Sequence, residues 1–170
     1  MDLAAHQRDL YRLVTMGQRD LTASDPYIQA VTRSPHLELL RGVILEWREF
    51  DVERSCVLTA ALLQRLGIFK DAVRDFAGVR PISPFIEKLG DAFLEYASDH
   101  SNRLVSCTAQ FERAILSVKR GSACEYVVDW PCDPRPVLNG EARPDSTSHP
   151  CYRTLISAQI AGYIRLTQIG

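Results

Sequence analysis

Four residues in the last third of the chain, Cys124, Cys132, His149 and Cys151, are of the types that bind zinc. Gathered by folding, they would make a tetrahedral site of three thiolates and one imidazole. Their spacing does not favour it. There is no Cys-x-x-Cys pair, and only His149 and Cys151 are near neighbours. Cys124 also falls in phase with the apolar residues of an alternating run, where a cysteine serves as a small hydrophobe. The nearest pair for nucleophilic catalysis is Cys107 with His100. On a continuous helix these lie about 10 Å apart along the axis, too far for a direct hydrogen bond. Cys107 shares an apolar stripe with Phe111 and reads as core. Neither a Gly-x-Ser-x-Gly elbow nor a glycine-rich phosphate loop is present. The remaining histidines, His6 and His36, are scattered and suit solvated or capping positions. Carboxylates recur at helical spacing as Glu46 and Glu49, Asp71 and Asp75, and Asp91 and Glu95. They sit beside Arg48, Arg74 and Lys88, which makes them solvated helix faces rather than acid–base pairs.

The elements that would position these groups change character once along the chain. The first 120 residues have the 3.6-residue period of helices. Leu3, Leu10, Leu13 and Val14 share a stripe, and Leu37, Leu40, Val43, Ile44 and Trp47 form what reads as a core face. Asp25-Pro26, Ser34-Pro35 and Ser83-Pro84 each set a capping side chain before a proline, the pattern of a helix start. A further helix carries Cys56, Ala60, Leu63 and Leu66 and is capped by Gly67. A short one follows within residues 68–83. Another uses Phe85, Ile86, Leu89, Phe93 and Tyr96, is interrupted at Asp99–Asn102, and gives way to one with Leu104, Cys107, Phe111, Ile115 and Val118. Gly121 ends that helix. The expectation is a bundle of four to six helices.

Beyond Gly121 the period becomes two. Cys124, Tyr126, Val128 and Trp130 alternate with Glu125, Val127 and Asp129, a half-buried strand. Pro131, Pro134 and Pro136 argue against helix after it, and residues 139–150 read as a loop with a turn at Asn139-Gly140. In the tail, Tyr152, Ile156, Ile160, Ile164 and Leu166 share one phase, against Arg153, Ser157, Gln159, Arg165 and Thr167. Gly162 marks either a bulge in one long strand or the turn between strands 152–160 and 163–169; two strands are preferred, and a helix over 152–161 stays open. The fold class is therefore α+β, with a helical domain at 1–120 and a small antiparallel sheet of about three strands at 121–170. Two or three strands are marginal alone, so the sheet must rest on helices or on another protein. Trp130, at the end of its strand, is either a packing corner or an interface anchor.

Composition narrows the function classes. Twenty Lys and Arg balance 21 Asp and Glu, for a net charge of -1, with no basic stripe. That argues against a nucleic-acid binder, although a DNA-binding regulator using one of the Ser-Pro helices is a competing reading. No segment approaches the ~20 apolar residues that span a bilayer, the N-terminus lacks an apolar signal core, and five irregular cysteines do not make a disulfide framework. A cytoplasmic protein with no membrane partner is expected.

The segment Phe111-Glu112-Arg113-Ala114-Ile115-Leu116, its helix running into Gly121, the strand Tyr126-Val127-Val128-Asp129-Trp130-Pro131, the pair Asp133-Pro134 and the alternating tail together resemble a known family. It comprises the partner subunits of multinuclear non-haem iron enzymes that modify ribosomally made peptides. Within that family the size and tail look most like the partner from 3-thiaglutamate biosynthesis, where the iron enzyme excises a carbon from a C-terminal cysteine. The resemblance covers mainly residues 104–169. It implies a non-catalytic accessory subunit that binds a TIM-barrel iron enzyme and recruits the precursor peptide through its leader segment. It also implies no cofactor in this chain, since the iron belongs to the partner subunit. The sheet edge would take the peptide by strand addition, with candidate contacts at Glu125, Tyr126, Val127, Val128, Asp129, Trp130, Arg153, Leu155, Tyr163 and Arg165. The competing enzyme reading is a stand-alone Cys/His enzyme or metal-binding protein using Cys132, Cys151 or His149.

Overall fold

The computed structural model describes residues 3–16, 26–79, 89–141, 151–160 and 162–169. Among the described residues seven helices come first: α1 (Leu3–Met16), α2 (Pro26–Thr32), α3 (His36–Ser55), α4 (Val57–Arg65), α5 (Phe69–Val79), α6 (Leu89–Ser98) and α7 (Arg103–Lys119). Then follow β1 (Tyr126–Trp130), a short helix α8 (Pro134–Asn139), β2 (Cys151–Ile156) and β3 (Ile164–Ile169). The chain is α+β, with its helices first and a three-stranded antiparallel sheet of order β1-β2-β3 at its end.

Contacts divide the chain into two units, Met1–Asp51 with Lys70–Leu89, and Val52–Phe69 with Gly90–Gly170. In the first, Leu13, Ile28 and Leu37 form a buried cluster, with Leu10, Val14 and Val31 packed against it. The Arg41 guanidinium donates to the Leu13 carbonyl oxygen, at 3.1 Å from Nε and 2.6 Å from Nη2. That carbonyl lies in the last turn of α1, where helix oxygens lack internal partners and favour a cation. The Ser34 hydroxyl accepts from the His36 amide, so the Ser34-Pro35 start works as expected. The Ser83-Pro84 start lies outside the described residues, as do residues 142–150 of the loop expected over 139–150.

The face of α3 read as core is a correction. Leu37 is buried, but Leu40, Val43 and Trp47 are exposed, together with Leu39 and Phe50. The buried side is the opposite one, and includes Arg48 beside Tyr11. Both sides of this helix are apolar, so periodicity alone does not say which one faces the core.

In the second unit the inner face of the sheet lies on α7. Val128, Trp130 and Ile156 pack with Cys107, Phe111, Ala114 and Val118, and Tyr126, Tyr152, Leu58 and Leu138 close the rim. The helix-to-strand change at residue 121 therefore falls inside this unit. Each apolar face is the other's cover, which is how so small a sheet is supported. Asn102 caps α7 by accepting from the amides of Leu104 and Val105, and Gly121 ends the helix with φ 93°. Gly90 allows a close approach, since a Cβ there would come within 2.6 Å of the Ser55 Cβ.

Two sequence expectations for this region are corrected. The prolines after β1 do not forbid helix. Asp133 caps α8 by accepting from the Arg135 amide, Pro134 opens the helix, and Gly140 closes it with φ 80°. Pro134 and Pro136 both lie in the first turn, where amide hydrogens have no helical acceptor and their loss removes nothing. Cys124 is exposed and precedes β1 rather than lying on its apolar face. The tail forms two strands, as preferred. Gly162 (φ 84°) and Tyr163 (φ 65°) adopt left-handed backbone in the turn, and the Ser157 amide donates to the Tyr163 oxygen at 3.0 Å.

Candidate functional site

The antiparallel register decides which side chains share a face, because directly opposed residues point the same way. Val127 lies opposite Leu155 and Asp129 opposite Arg153 in one pair of strands, and Leu155 opposite Arg165 in the other. These five candidate residues thus form one patch on the outer face. Val127 and Arg165 are exposed, and Leu155 is half-buried. Arg153 and Asp129 meet as a fork, with Nε to Oδ1 at 2.7 Å and Nη2 to Oδ2 at 3.0 Å. Glu125 and Tyr163 are exposed at the ends of strands. The inner-face candidates are placed differently. The side chains of Val128 and Trp130 are buried in the chain's own core. Trp130 is a packing corner: its ring meets Phe111 edge-on at 5.7 Å, and Nε1 donates to Thr154 Oγ1 at 2.9 Å. Tyr126 is half-buried at the rim, where its hydroxyl lies 3.0 Å from that of Ser122.

Among the described residues β1 pairs with β2 alone, so its other edge carries no strand. Beside it runs a groove of about 480 Å³ lined by Ser98 of α6, Gln110, Arg113, Ala114 and Ser117 of α7, and Tyr126, Val127 and Val128 of β1. Three consecutive strand residues line it, so the groove meets the edge of the strand and not one face. The Gln110 amide is held by the Ser98 carbonyl and the Ser106 hydroxyl, which fixes one wall. Arg113 is exposed, and among the described residues no carboxylate lines the groove. Sequence reasoning missed the α7 wall. Gln110, Arg113 and Ser117 recur at helical spacing on the polar side of that helix, but only tertiary placement sets them against a strand edge.

Cys56, Cys107 and Cys132 are not activated thiols. Burial raises the Cys107 thiol above its ordinary range, which outweighs the opposing effect of Arg103, and its Sγ donates to the Asp129 carbonyl at 3.2 Å. His100 is engaged elsewhere, accepting at Nδ1 from the Asn102 amide at 2.9 Å. Burial also raises Cys56 and Cys132. A catalytic thiol needs the opposite shift. Among the described residues no three His, Cys, Asp or Glu side chains are placed to hold a metal ion, and His149 lies outside them. With Cys124 and Cys151 exposed and the other three buried, we expect a thiol reagent to modify two cysteines rapidly in the native protein and all five after denaturation. Mass spectrometry of the labelled protein checks the number and the positions.

The Arg153 guanidinium holds the Asp129 carboxyl below its usual range, chiefly through their hydrogen bonds. A carboxyl depressed in the folded state adds stability above its unfolded pKa, and the contribution is lost as pH falls through the folded value. Both partners are exposed, so the effect is small. Asp129→Asn should leave the thermal midpoint at pH 7 nearly unchanged and flatten its decline below the ordinary aspartate range, as a pH series of melting curves would show.

No family model, curated protein or solved structure matches this chain. None of the described helices is long and apolar enough to cross a membrane.

Proposed function

We propose that this chain is a non-catalytic accessory subunit working in the cytoplasm. It binds a TIM-barrel multinuclear iron enzyme and presents a ribosomally made precursor peptide to it. The chemistry, carbon excision at a cysteine of the peptide on the 3-thiaglutamate pattern, belongs to the iron of the partner. The observation that supports this reading best is the strandless edge of β1 beside the groove along α7.

An edge of this kind offers unpaired amide and carbonyl groups, and an extended segment can add to it as a fourth strand. Affinity then comes from main-chain hydrogen bonds, and selectivity from the side chains in the groove. Arg113 favours an acidic residue in the bound segment. The outer patch of Val127, Leu155, Arg165 and the Asp129–Arg153 pair would continue under the added strand.

The test uses a precursor leader peptide from the same host, with hydrogen exchange as the readout. Binding should slow exchange in Tyr126–Trp130. Ser117→Trp, which fills the groove from a half-buried position on α7, should weaken binding at least tenfold (about 1.4 kcal/mol) without lowering the thermal midpoint. Tight binding that survives this substitution, or protection confined to other segments, would contradict the assignment of the groove.

A further inference from the structure

Helix α3 carries two apolar faces, and the described residues bury only one. On the other, Leu39, Leu40, Val43, Trp47 and Phe50 recur at the three- and four-residue spacing of a helix-pairing seam. All five are exposed, Trp47 by 64% and Leu39 by 68%, and the Trp47 and Phe50 rings meet edge-on at 6.3 Å. An exposed aromatic pair within an apolar stripe is the composition of an interface centre. Helical geometry places Glu46 along one border of the stripe and Asp51 along the other, with Arg54 beyond the C-terminal end of the stripe.

We propose that this stripe docks an amphipathic helix of another protein, one whose apolar face is bordered by lysine or arginine. The acidic borders argue for that occupant over a second copy of the chain. A parallel pair of α3 helices would set Glu46 against Asp51 of the other copy, and an antiparallel pair centred on the stripe would set Glu46 against itself. Like charges at those positions oppose pairing. They likewise oppose an anionic lipid surface, which selects basic borders. The proposal stands apart from the groove on the sheet, and either reading survives the failure of the other.

Two designed helical peptides with the same leucine stripe, one bordered by lysine and one by glutamate, would be titrated into the full-length protein. Trp130 is buried, so a change in tryptophan emission reports Trp47. The lysine-bordered peptide should shift the emission to the blue, shield Trp47 from acrylamide and bind at least tenfold more tightly than the other. That gap should narrow as salt is raised. The double variant Val43→Ser, Phe50→Ser should lose binding to a fluorescently labelled peptide while its melting curve stays in place, because both residues are exposed. Absence of binding, equal binding of both peptides, sedimentation as a dimer with Trp47 already shielded, or a preference for anionic vesicles would each overturn the proposal.

Discussion

Trp130→Ala should destabilise the sheet-bearing unit by about 4 kcal/mol, the range for truncating a fully buried tryptophan. The ring lies against Phe111 at the centre of the cluster that joins α7 to the sheet, and none of it is exposed. Since domains hold a margin of only about 5–15 kcal/mol, the variant should unfold at much lower urea. Trp130→Phe separates packing from hydrogen bonding. It retains an aromatic ring but leaves the buried Thr154 hydroxyl without its donor, for an expected loss of about 1–2 kcal/mol. Adding Thr154→Val removes the orphaned group and should recover part of that loss. Circular dichroism during urea unfolding measures all three. A loss below about 1 kcal/mol for Trp130→Ala would be too small for a core residue and would return Trp130 to the surface.

The second large effect is expected at Glu112. Cys56 stands at the N-cap position before helix α4 and makes no side-chain capping bond. The missing cap comes from α7: the Glu112 carboxylate, itself buried, accepts from the amides of Leu58 and Thr59, both at 2.9 Å. An anion at a helix start meets both the orphan amides and the positive end of the helix dipole. Glu112→Ala removes two charge-assisted bonds and leaves two donors without acceptors, for an expected loss of about 3 kcal/mol. Glu112→Gln keeps one carbonyl acceptor and should lose roughly half as much. Exchange at the Leu58 and Thr59 amides should accelerate in both variants. Unchanged protection at those two amides would show that the cap is not formed in solution.

These two residues mark what the sequence disclosed and what it did not. Strong periodicity was readable. The stripe of Cys107, Phe111 and Val118, the alternation of Tyr126, Val128 and Trp130, and the two phases of the tail around Gly162 correspond to α7, β1, β2 and β3. The strand register, which the sequence does not show, is what gathers Val127, Asp129, Arg153, Leu155 and Arg165 onto one face. Features that depend on tertiary neighbours were hidden. Glu112 caps a helix more than 50 residues away, and the only local hint was an acid beside an apolar stripe together with a helix start lacking a capping side chain. For α3, two apolar faces gave two equivalent solutions, and packing decides between them. For α8, the prolines were weighed as breakers without regard to their place in a first turn. The groove needs α7 and the strand edge together, so half of its lining could be read as a strand and the other half only as a polar helix face.

The most direct test of the accessory role is to purify the tagged chain from its native host and identify what accompanies it, with iron measured in the same fractions. The account predicts a barrel enzyme recovered in stable ratio, iron in proportion to that enzyme, and a precursor peptide whose recovery falls with Ser117→Trp while the enzyme stays bound. Recovery of the chain alone and free of iron, under conditions that keep other complexes intact, would contradict it.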